Sequence, residues 1–341
     1  MSRSLERWQM IGLAALAAIV ILIPVYVLRQ GGDARPPLTK APPTFVGRNE
    51  CKSCHEPEFD SWLNSDHDKA MDVAADSTVL GDFDDTVFTS KGITSRFFRR
   101  GEKFFVHTAG PGGEMGDFEI THTFGHEPLQ QYLVPFPGGK FQCLNIAWDT
   151  EEGRWFDLYP DTDIPPDDWL SWTGGGQTWN GMCAECHSTD LKKVFDPDTK
   201  TFNTTWFEID VSCEACHGPG SDHVEWAKIQ PMARPEVDDY GLAVPTRDLG
   251  NVELVNLCAP CHSRRVILGD YDHADSHLLE NLVPTTLDEG LYHADGQILD
   301  EVYVYGSFVQ SKMFANDVSC RDCHDSHSLK LKFEGNALCL Q

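Results

Sequence analysis

Five copies of one pattern, Cys-x-x-Cys-His, constrain this chain more than any other feature of its sequence. Each copy brings together two thiols three positions apart and an imidazole directly after the second thiol. The copies use ten of the twelve cysteines, so chance is not a reasonable origin. Numbered 1 to 5 in chain order, the motifs are Cys51/Cys54/His55, Cys183/Cys186/His187, Cys213/Cys216/His217, Cys258/Cys261/His262 and Cys320/Cys323/His324.

The spacing within each motif is typical of covalent haem attachment. Two thiols at this separation form thioethers with the two vinyl groups of one haem, and the following histidine binds the iron. Structural zinc also uses Cys-x-x-Cys pairs, but it does not require a histidine after every second cysteine. A disulfide framework needs no repeated two-residue gap, and a thioredoxin-like pair is a single motif beside a βαβ unit. The sequence therefore predicts five c-type haems, held by all fifteen motif residues.

Histidines outside the motifs are candidates for the second axial position of each iron. His327 lies three residues after His324, a backbone reach of about 11 Å at most, which is too short to pass round a porphyrin edge. His223 and His67 follow their motif histidines by six and twelve residues, and they also suit a neighbouring haem better than their own. We therefore expect distal ligands to cross between motifs. The candidate distal ligands are His67, His223, His273, His293 and His327, with His277 as an alternative to His273 and His126 in reserve.

An apolar run from Met10 to Leu28 predicts a helix that crosses a membrane. Such a run rises about 28 Å as a helix, close to the hydrocarbon thickness of a bilayer. No Ala-x-Ala-like cleavage site follows it, which favours an uncleaved signal anchor over a cleaved signal peptide. We expect residues 1–29 to be a single-pass inner-membrane anchor and residues 30–46 to be a Pro-rich linker. Residues 47–341 would then form the haem domain on the periplasmic side, since covalent haem attachment takes place outside the cytoplasm.

The haem motifs are unevenly distributed along the predicted haem domain. Residues 82–168 contain none, and their alternating runs between Gly-rich turns predict an antiparallel β meander inserted between motifs 1 and 2. Residues 180–341 carry four motifs, so we expect short helices and loops packed around stacked haems. The predicted fold class is α+β with one N-terminal transmembrane helix. Cys143 lies in an apolar strand and is expected to be a buried thiol.

The formal net charge of −26 limits the partners that the surface can bind. Nucleic-acid binding needs a basic surface, so no nucleic-acid partner is expected. The expected partners are redox proteins with a basic docking patch, whose association would weaken with salt. The membrane is a further expected partner, through the N-terminal helix.

Several longer stretches resemble known haem proteins. The stretch from Cys213 to His223 resembles the haem loop of the tetrahaem cytochrome c of ammonia oxidation, a family with haem packing like that of hydroxylamine oxidoreductase. Residues 180–189 and 290–298 resemble multihaem cytochromes that often carry C-terminal tetratricopeptide repeats. The resemblance implies c-type haems with two histidine ligands each and electron transfer. Cys339 begins what looks like a sixth motif, so we expect the chain to be truncated there and a sixth haem to belong to the intact motif.

Two functions remain open at this point. A membrane-anchored periplasmic electron carrier is favoured, because every motif ends in histidine and nine further histidines are available to cap five irons. The alternative is a multihaem oxidoreductase that acts on a small nitrogen or sulfur compound at a haem with an open coordination position. The sequence assigns no catalytic side chain.

Overall fold

Short helices carry or flank the haem motifs in the computed structural model, which describes residues 41–269 and 277–340. The longest of these helices has twelve residues. The α-helices of the described residues are α1 (Arg48–Lys52), α2 (Glu56–Trp62), α3 (Trp179–Met182), α4 (Ala184–His187), α5 (Cys213–His217), α6 (Ser221–Lys228), α7 (Asn251–His262), α8 (Leu278–Asn281), α9 (Tyr305–Val309) and α10 (Cys320–Cys323).

The predicted fold class is wrong in its transmembrane helix. Within residues 41–269 and 277–340, no helix has both the length and the apolar character needed to cross a bilayer. For the described residues, the fold class is therefore corrected to short helices and antiparallel sheets, with no membrane-spanning helix among them. The run from Met10 to Leu28, on which the sequence predicts that helix, lies outside the described residues.

The strands between motifs 1 and 2 form two antiparallel sheets. One sheet is a meander in the order β2-β3-β4-β5, and the other has the order β1-β6-β7-β9-β10, with β8 also paired to β7. These strands are β1 (Met71–Val73), β2 (Thr86–Ser90), β3 (Ile93–Arg100), β4 (Lys103–Ala109), β5 (Met115–Ile120), β6 (His122–Phe124), β7 (Leu129–Phe136), β8 (Lys140–Cys143), β9 (Ile146–Asp149) and β10 (Arg154–Asp157).

Short two-stranded pairs occur in the remaining part of the described chain. β11 (Phe195–Asp196) pairs with β12 (Thr201–Phe202) shortly after motif 2. β13 (Arg265–Ile267) pairs with β14 (Leu282–Pro284) shortly after motif 4. β13 begins only three residues beyond His262, so it carries its first side chain close to motif 4.

An aromatic core joins the two large sheets. Phe97 of β3 stacks on Trp155 of β10 with ring centres 3.6 Å apart, and Phe83 meets both rings edge-on. Alternation along β3 and β4 points Phe97 and Phe104 inward, where both are almost completely buried. Each buried aromatic ring removes about 150–250 Å² from water. The β-rich part therefore has a hydrophobic core of its own, made without any haem.

A second core cluster fixes motif 2 against the β-rich part. Met71, Leu133 and Cys143 from the sheet pack with Trp179 of α3 and Ala184 of α4. Cys143 is 1% exposed, in agreement with the buried thiol that the sequence predicts. Because Ala184 lies between the two cysteines of motif 2, this packing sets the position of the motif relative to the sheet.

Candidate haem-binding centre

Each motif lies in a short helix or at its end. α5 consists of motif 3 alone, and motif 4 forms the last turn of α7. α10 carries both cysteines of motif 5 and begins at a capping box between Ser319 and Asp322. Residues three apart share one face of a helix. In these three motifs the helical turn therefore directs the two thiols toward the same side, as attachment to one haem requires.

Motif 1 departs from this arrangement at Cys54. The sequence assigns Cys54 the same role as the other motif cysteines, but α1 ends at Lys52, so Cys54 lies in the turn beyond the helix. It is exposed, whereas the other nine motif cysteines are partly buried. The Cys54 N–H still donates to the Cys51 carbonyl oxygen at 3.1 Å, which keeps the two residues in one turn. Cys54 therefore differs from the other nine motif cysteines in its exposure, and its thioether bond to haem stays a prediction.

Cysteines of different motifs contact one another, and none of the twelve cysteines, all of which the structure describes, forms a disulfide. Such contacts make motif 1 a neighbour of motif 3, motif 2 a neighbour of motif 4, and motif 4 a neighbour of motif 5. The thiol pairs that interact electrostatically are Cys51 with Cys213, Cys186 with Cys261, and Cys258 with Cys320. The attachment points of all five motifs thus lie in one connected group, together with the histidine pairs described next.

Three motif histidines each face a histidine from outside the motifs. The ring centres of His55 and His223 are 6.0 Å apart. The rings of His67 and His262 are separated by 6.2 Å, and those of His217 and His327 by 6.5 Å, nearly parallel at 14°. Each pair joins two different motif regions: 1 with 3, 4 with 1, and 3 with 5.

These separations fit an iron atom between each pair of rings. A metal–imidazole nitrogen bond is about 2 Å long, so two imidazoles on opposite sides of one iron have ring centres roughly 6 Å apart. In the described part of the chain, no hydrogen bond links the two rings of any pair. The recurrence of one spacing in three separate pairs, each with a single motif histidine, is what a histidine-ligated haem requires.

Two imidazoles of these pairs, and those of two further motif histidines, have hydrogen-bond partners at Nδ1. His217 Nδ1 is 3.0 Å from the Thr246 hydroxyl, and His223 Nδ1 is 2.9 Å from the Tyr240 carbonyl oxygen. His324 and His187 make corresponding contacts with the carbonyl oxygens of Leu329 at 3.0 Å and Ala70 at 3.4 Å. A histidine that binds a metal usually donates its other ring N–H in this way. The contact leaves Nε2 as the nitrogen available to an iron.

Burial keeps the central imidazoles neutral. It lowers the pKa of His67, His187 and His217 to about 4, helped by neighbouring histidines. A histidine must be unprotonated to bind a metal. At neutral pH these three side chains are therefore already in the form that a haem iron binds.

Not every predicted ligand is brought to a motif histidine. His293 is exposed and sits in a turn in which its backbone N–H donates to the Gln297 carbonyl oxygen at 2.8 Å. His277 is an exposed residue before α8. His273 lies outside the described residues. Within residues 41–269 and 277–340, no second imidazole is seen opposite His187 or His324.

The sequence did not indicate the polar side chains that position the motifs relative to one another. The carboxylate of Glu214, inside motif 3, accepts hydrogen bonds from the backbone N–H groups of Val46, Gly47 and Gly220, and is 3% exposed. It therefore ties the chain before motif 1 to motif 3. Only the composition of the motif, with an acid between two cysteines, could have drawn attention to it.

A buried cluster of charges lies beside the same motifs. The Arg48 guanidinium donates to both oxygens of Asp210 and to Glu208, and it lies 3.6 Å from Asp68. Its plane also covers Trp62, with 4.8 Å to the ring centre. Asp68 follows His67 directly in the chain. The cluster thus fixes the segment that carries His67 against the segment that leads into motif 3.

The backbone around His67 is held from the same side. The Val211 N–H donates to the His67 carbonyl oxygen at 3.2 Å, and the Trp62 indole N–H donates to the Val211 carbonyl oxygen at 3.0 Å. Although His67 is far from motif 4 in sequence, these bonds keep its ring directed toward His262.

In residues 41–269 and 277–340, no three side chains of His, Cys, Asp or Glu converge as the ligands of one metal ion would.

Comparison with known proteins finds a family model that matches three of the five motifs. The family model described as "Cytochrome c554 and c-prime" matches residues 50–84 and 174–218, which contain motifs 1, 2 and 3. No curated protein sequence matches the chain.

Two solved structures are similar. The outer cell wall cytochrome OcwA has a TM-score of 0.58 and 15% identity over 87% of this chain and 66% of that chain, so this chain spans just under two thirds of its length. An undecahaem cytochrome from the S-layer of Carboxydothermus ferrireducens has a TM-score of 0.42 and 16% identity over 89% of this chain and 43% of that one. The similarity to OcwA shows a shared fold.

The predicted resemblance is thus confirmed at the level of the general class. Five attachment motifs, a family match over three of them and the fold of a cytochrome all agree. The chain is a multihaem c-type cytochrome, and its cofactor is covalently bound haem c.

Proposed function

We propose that this protein is an electron carrier with five haems, one at each motif, and that distal histidines cross between motifs. The observation that carries the proposal is the set of three histidine pairs with ring centres 6.0–6.5 Å apart. In this assignment His223 caps the haem of motif 1, His327 that of motif 3 and His67 that of motif 4. Such crossing supports haem packing of the kind found in hydroxylamine oxidoreductase. A bound haem supplies an iron that accepts and releases one electron.

The protein would contribute an uninterrupted route between its redox centres. Motif 4 contacts motifs 2 and 5 through cysteine pairs, and it receives His67 from the motif 1 region. Motif 3 contacts motif 1 through Cys51 and Cys213, and it receives His327 from the motif 5 region. Motifs 1, 3, 5 and 4 would therefore form a closed ring of neighbours, and motif 2 would join it through motif 4.

Electron transfer also needs irons that keep their ligands in both oxidation states. Side chains that are held by hydrogen bonds and packing move little when the charge of the iron changes. His217 and His223 are fixed by Thr246 and Tyr240, and Gly218 permits the tight turn after motif 3. A Cβ at Gly218 would lie 2.8 Å from Val244, and its φ of +68° disfavours other residues.

We further propose that the haem domain works outside the cytoplasm with redox proteins that carry a basic docking patch. The proposal on location rests on the covalent haem chemistry and on the cell-wall location in the name of OcwA. The proposal on partners rests on the formal net charge of −26, to which haem propionates would add. Association with such a partner should be steered by charge and weakened by salt.

The test is low-temperature EPR on the fully oxidised holoprotein, before and after addition of nitrite or hydroxylamine. An electron carrier should give low-spin signals that neither compound changes, because every iron has two strong axial ligands. An oxidoreductase should instead show a high-spin haem whose signal shifts with one of these compounds. That outcome would contradict the carrier proposal, and motifs 2 and 5 would be the first places to look for the open position.

A further inference from the structure

A buried arginine lies where motifs 2 and 4 meet. Arg265 begins β13, three residues after His262, and its side chain is only 9% exposed. Two guanidinium nitrogens lie 3.6 Å from the Cys186 sulfur, and one of them donates to Glu185 at 3.1 Å. The Cys186 thiol in turn interacts electrostatically with Cys261 of motif 4. The guanidinium therefore lies against the attachment points of two different haems.

The charge of Arg265 is only partly balanced. Glu185 is its one ion-pair partner among the described residues, and that carboxylate is 32% exposed. The Nε–H of Arg265 is buried without a hydrogen-bond partner there. The two guanidinium nitrogens at 3.6 Å place this cation beside the sulfur that would be bonded to the haem.

Burying the Arg265 charge at this place is unfavourable in free energy, and its contacts do not fully compensate for it. Removing a charge from water is unfavourable unless its donors are satisfied, and one donor of Arg265 is not. A group kept under such conditions frequently serves a functional site. Reduction of each haem adds one electron, and a nearby positive charge stabilises that added charge.

Building on the proposed function, we propose that Arg265 is an electrostatic tuning residue, which raises the reduction potentials of the haems at motifs 2 and 4. Arg265 would then favour residence of electrons at the junction between motifs 2 and 4. Glu185 opposes this effect in part, because its carboxylate lies beside the same sulfur. The balance between the two side chains sets how readily electrons enter the motif 2 haem.

The experiment is an EPR-monitored redox titration of holoproteins that carry single substitutions. Arg265→Gln should lower the equilibrium constant for reduction of one or two haems about tenfold, which is about 59 mV for a one-electron couple. Arg265→Lys should remain closer to the natural protein, because it keeps the charge. Glu185→Gln should shift the same haems in the opposite direction.

The matched control is Arg264→Gln, which removes a charge one residue away. Arg264 is 44% exposed and lies 3.6 Å from Asp300, so its charge is screened by water and should change the potentials little. Unchanged titration curves for both Arg265→Gln and Glu185→Gln, with five haems bound, would overturn the tuning role and leave the carrier proposal intact. If Arg265→Gln does not mature, the test rests on Glu185→Gln alone. Reduction potentials that do not rise in that variant would overturn the tuning role. A natural protein without haem at motif 2 or 4 would refute the carrier proposal, and this inference with it.

Discussion

Replacing His67 with alanine should turn one haem in five from low-spin to high-spin while all five stay covalently attached. His67 lies opposite His262, with ring centres 6.2 Å apart, so its loss would leave the motif 4 iron with a single imidazole. The thioether bonds depend on cysteines that the substitution does not touch. Low-temperature EPR of the oxidised variant measures the spin state, and intact mass counts the haems.

The matched control for this variant is His107→Ala. His107 is a partly exposed histidine on β4, hydrogen-bonded to Asp117 at 2.7 Å, and its ring lies in the β-rich part rather than opposite a motif histidine. Its loss should leave every haem low-spin. A low-spin spectrum for His67→Ala, identical to that of the control, would remove His67 from the ligand set and break the proposed crossing between motifs 1 and 4.

Replacing Arg48 with methionine should destabilise the protein by about 3–5 kcal/mol at neutral pH, because one partner of a buried charge network is removed. The substitution leaves Asp210, Glu208 and Asp68 together, with side chains only 6–12% exposed. Methionine keeps the unbranched apolar part of the side chain, so most of the effect reports the lost guanidinium group. The measurement is the free energy of unfolding from guanidinium denaturation, followed by far-UV circular dichroism.

The loss of stability in Arg48→Met should be smaller at acid pH. The direction of this pH dependence follows from the pKa of Asp210. Burial raises the pKa of Asp210 to about 6, since it outweighs the attraction of the Arg48 charge, whereas an unfolded aspartate has a pKa of about 3.9. Between these values the folded protein binds more protons than the unfolded chain, so stability falls as pH rises through this window. Without Arg48 the pKa of Asp210 should rise further. The Arg48→Met variant should therefore recover part of its lost stability between about pH 7.5 and about pH 5.

An exposed ion pair of the same kind gives the control for Arg48→Met. Arg96 lies 3.3 Å from Asp85 and covers Phe98 at 4.3 Å, but the two charged side chains are 47% and 75% exposed. Arg96→Met should cost less than about 1 kcal/mol. Equal losses for the two variants, or a loss for Arg48→Met that grows as pH falls, would contradict the role given to the buried network.

The class of cofactor could be predicted from the sequence, because the chemistry that attaches a c-type haem is local. The two cysteines and the histidine of one attachment site lie within five residues. Five repeats of this pattern favour haem over a zinc site or a disulfide framework. Pairing between strands that are adjacent in sequence could also be predicted. The antiparallel meander expected within residues 82–168 includes β3 and β4, which pair directly on either side of Gly101. The backbone reach of His327 was enough to predict that it faces a histidine other than His324, and it faces His217.

The arrangement of the motifs could not be predicted, because it depends on contacts between distant residues. Nothing in the spacing pairs His67 with His262, since that pair depends on the Arg48 network and on the backbone bond from Val211. The exposure of Cys54 is likewise set by where α1 ends, which the motif pattern does not reveal. The position of Arg265 beside Cys186 likewise depends on how the chain buries this side chain, which no local pattern indicates.

The most direct test of the central claim is intact-mass analysis of the holoprotein matured in a periplasm, followed by peptide mapping of each motif. We predict a mass increase of five haems, with haem found on each of the five Cys-x-x-Cys-His peptides, Cys54 included, and Cys143 unmodified. A mass increase of fewer than five haems, with free thiols or a disulfide in any motif peptide, would contradict the account.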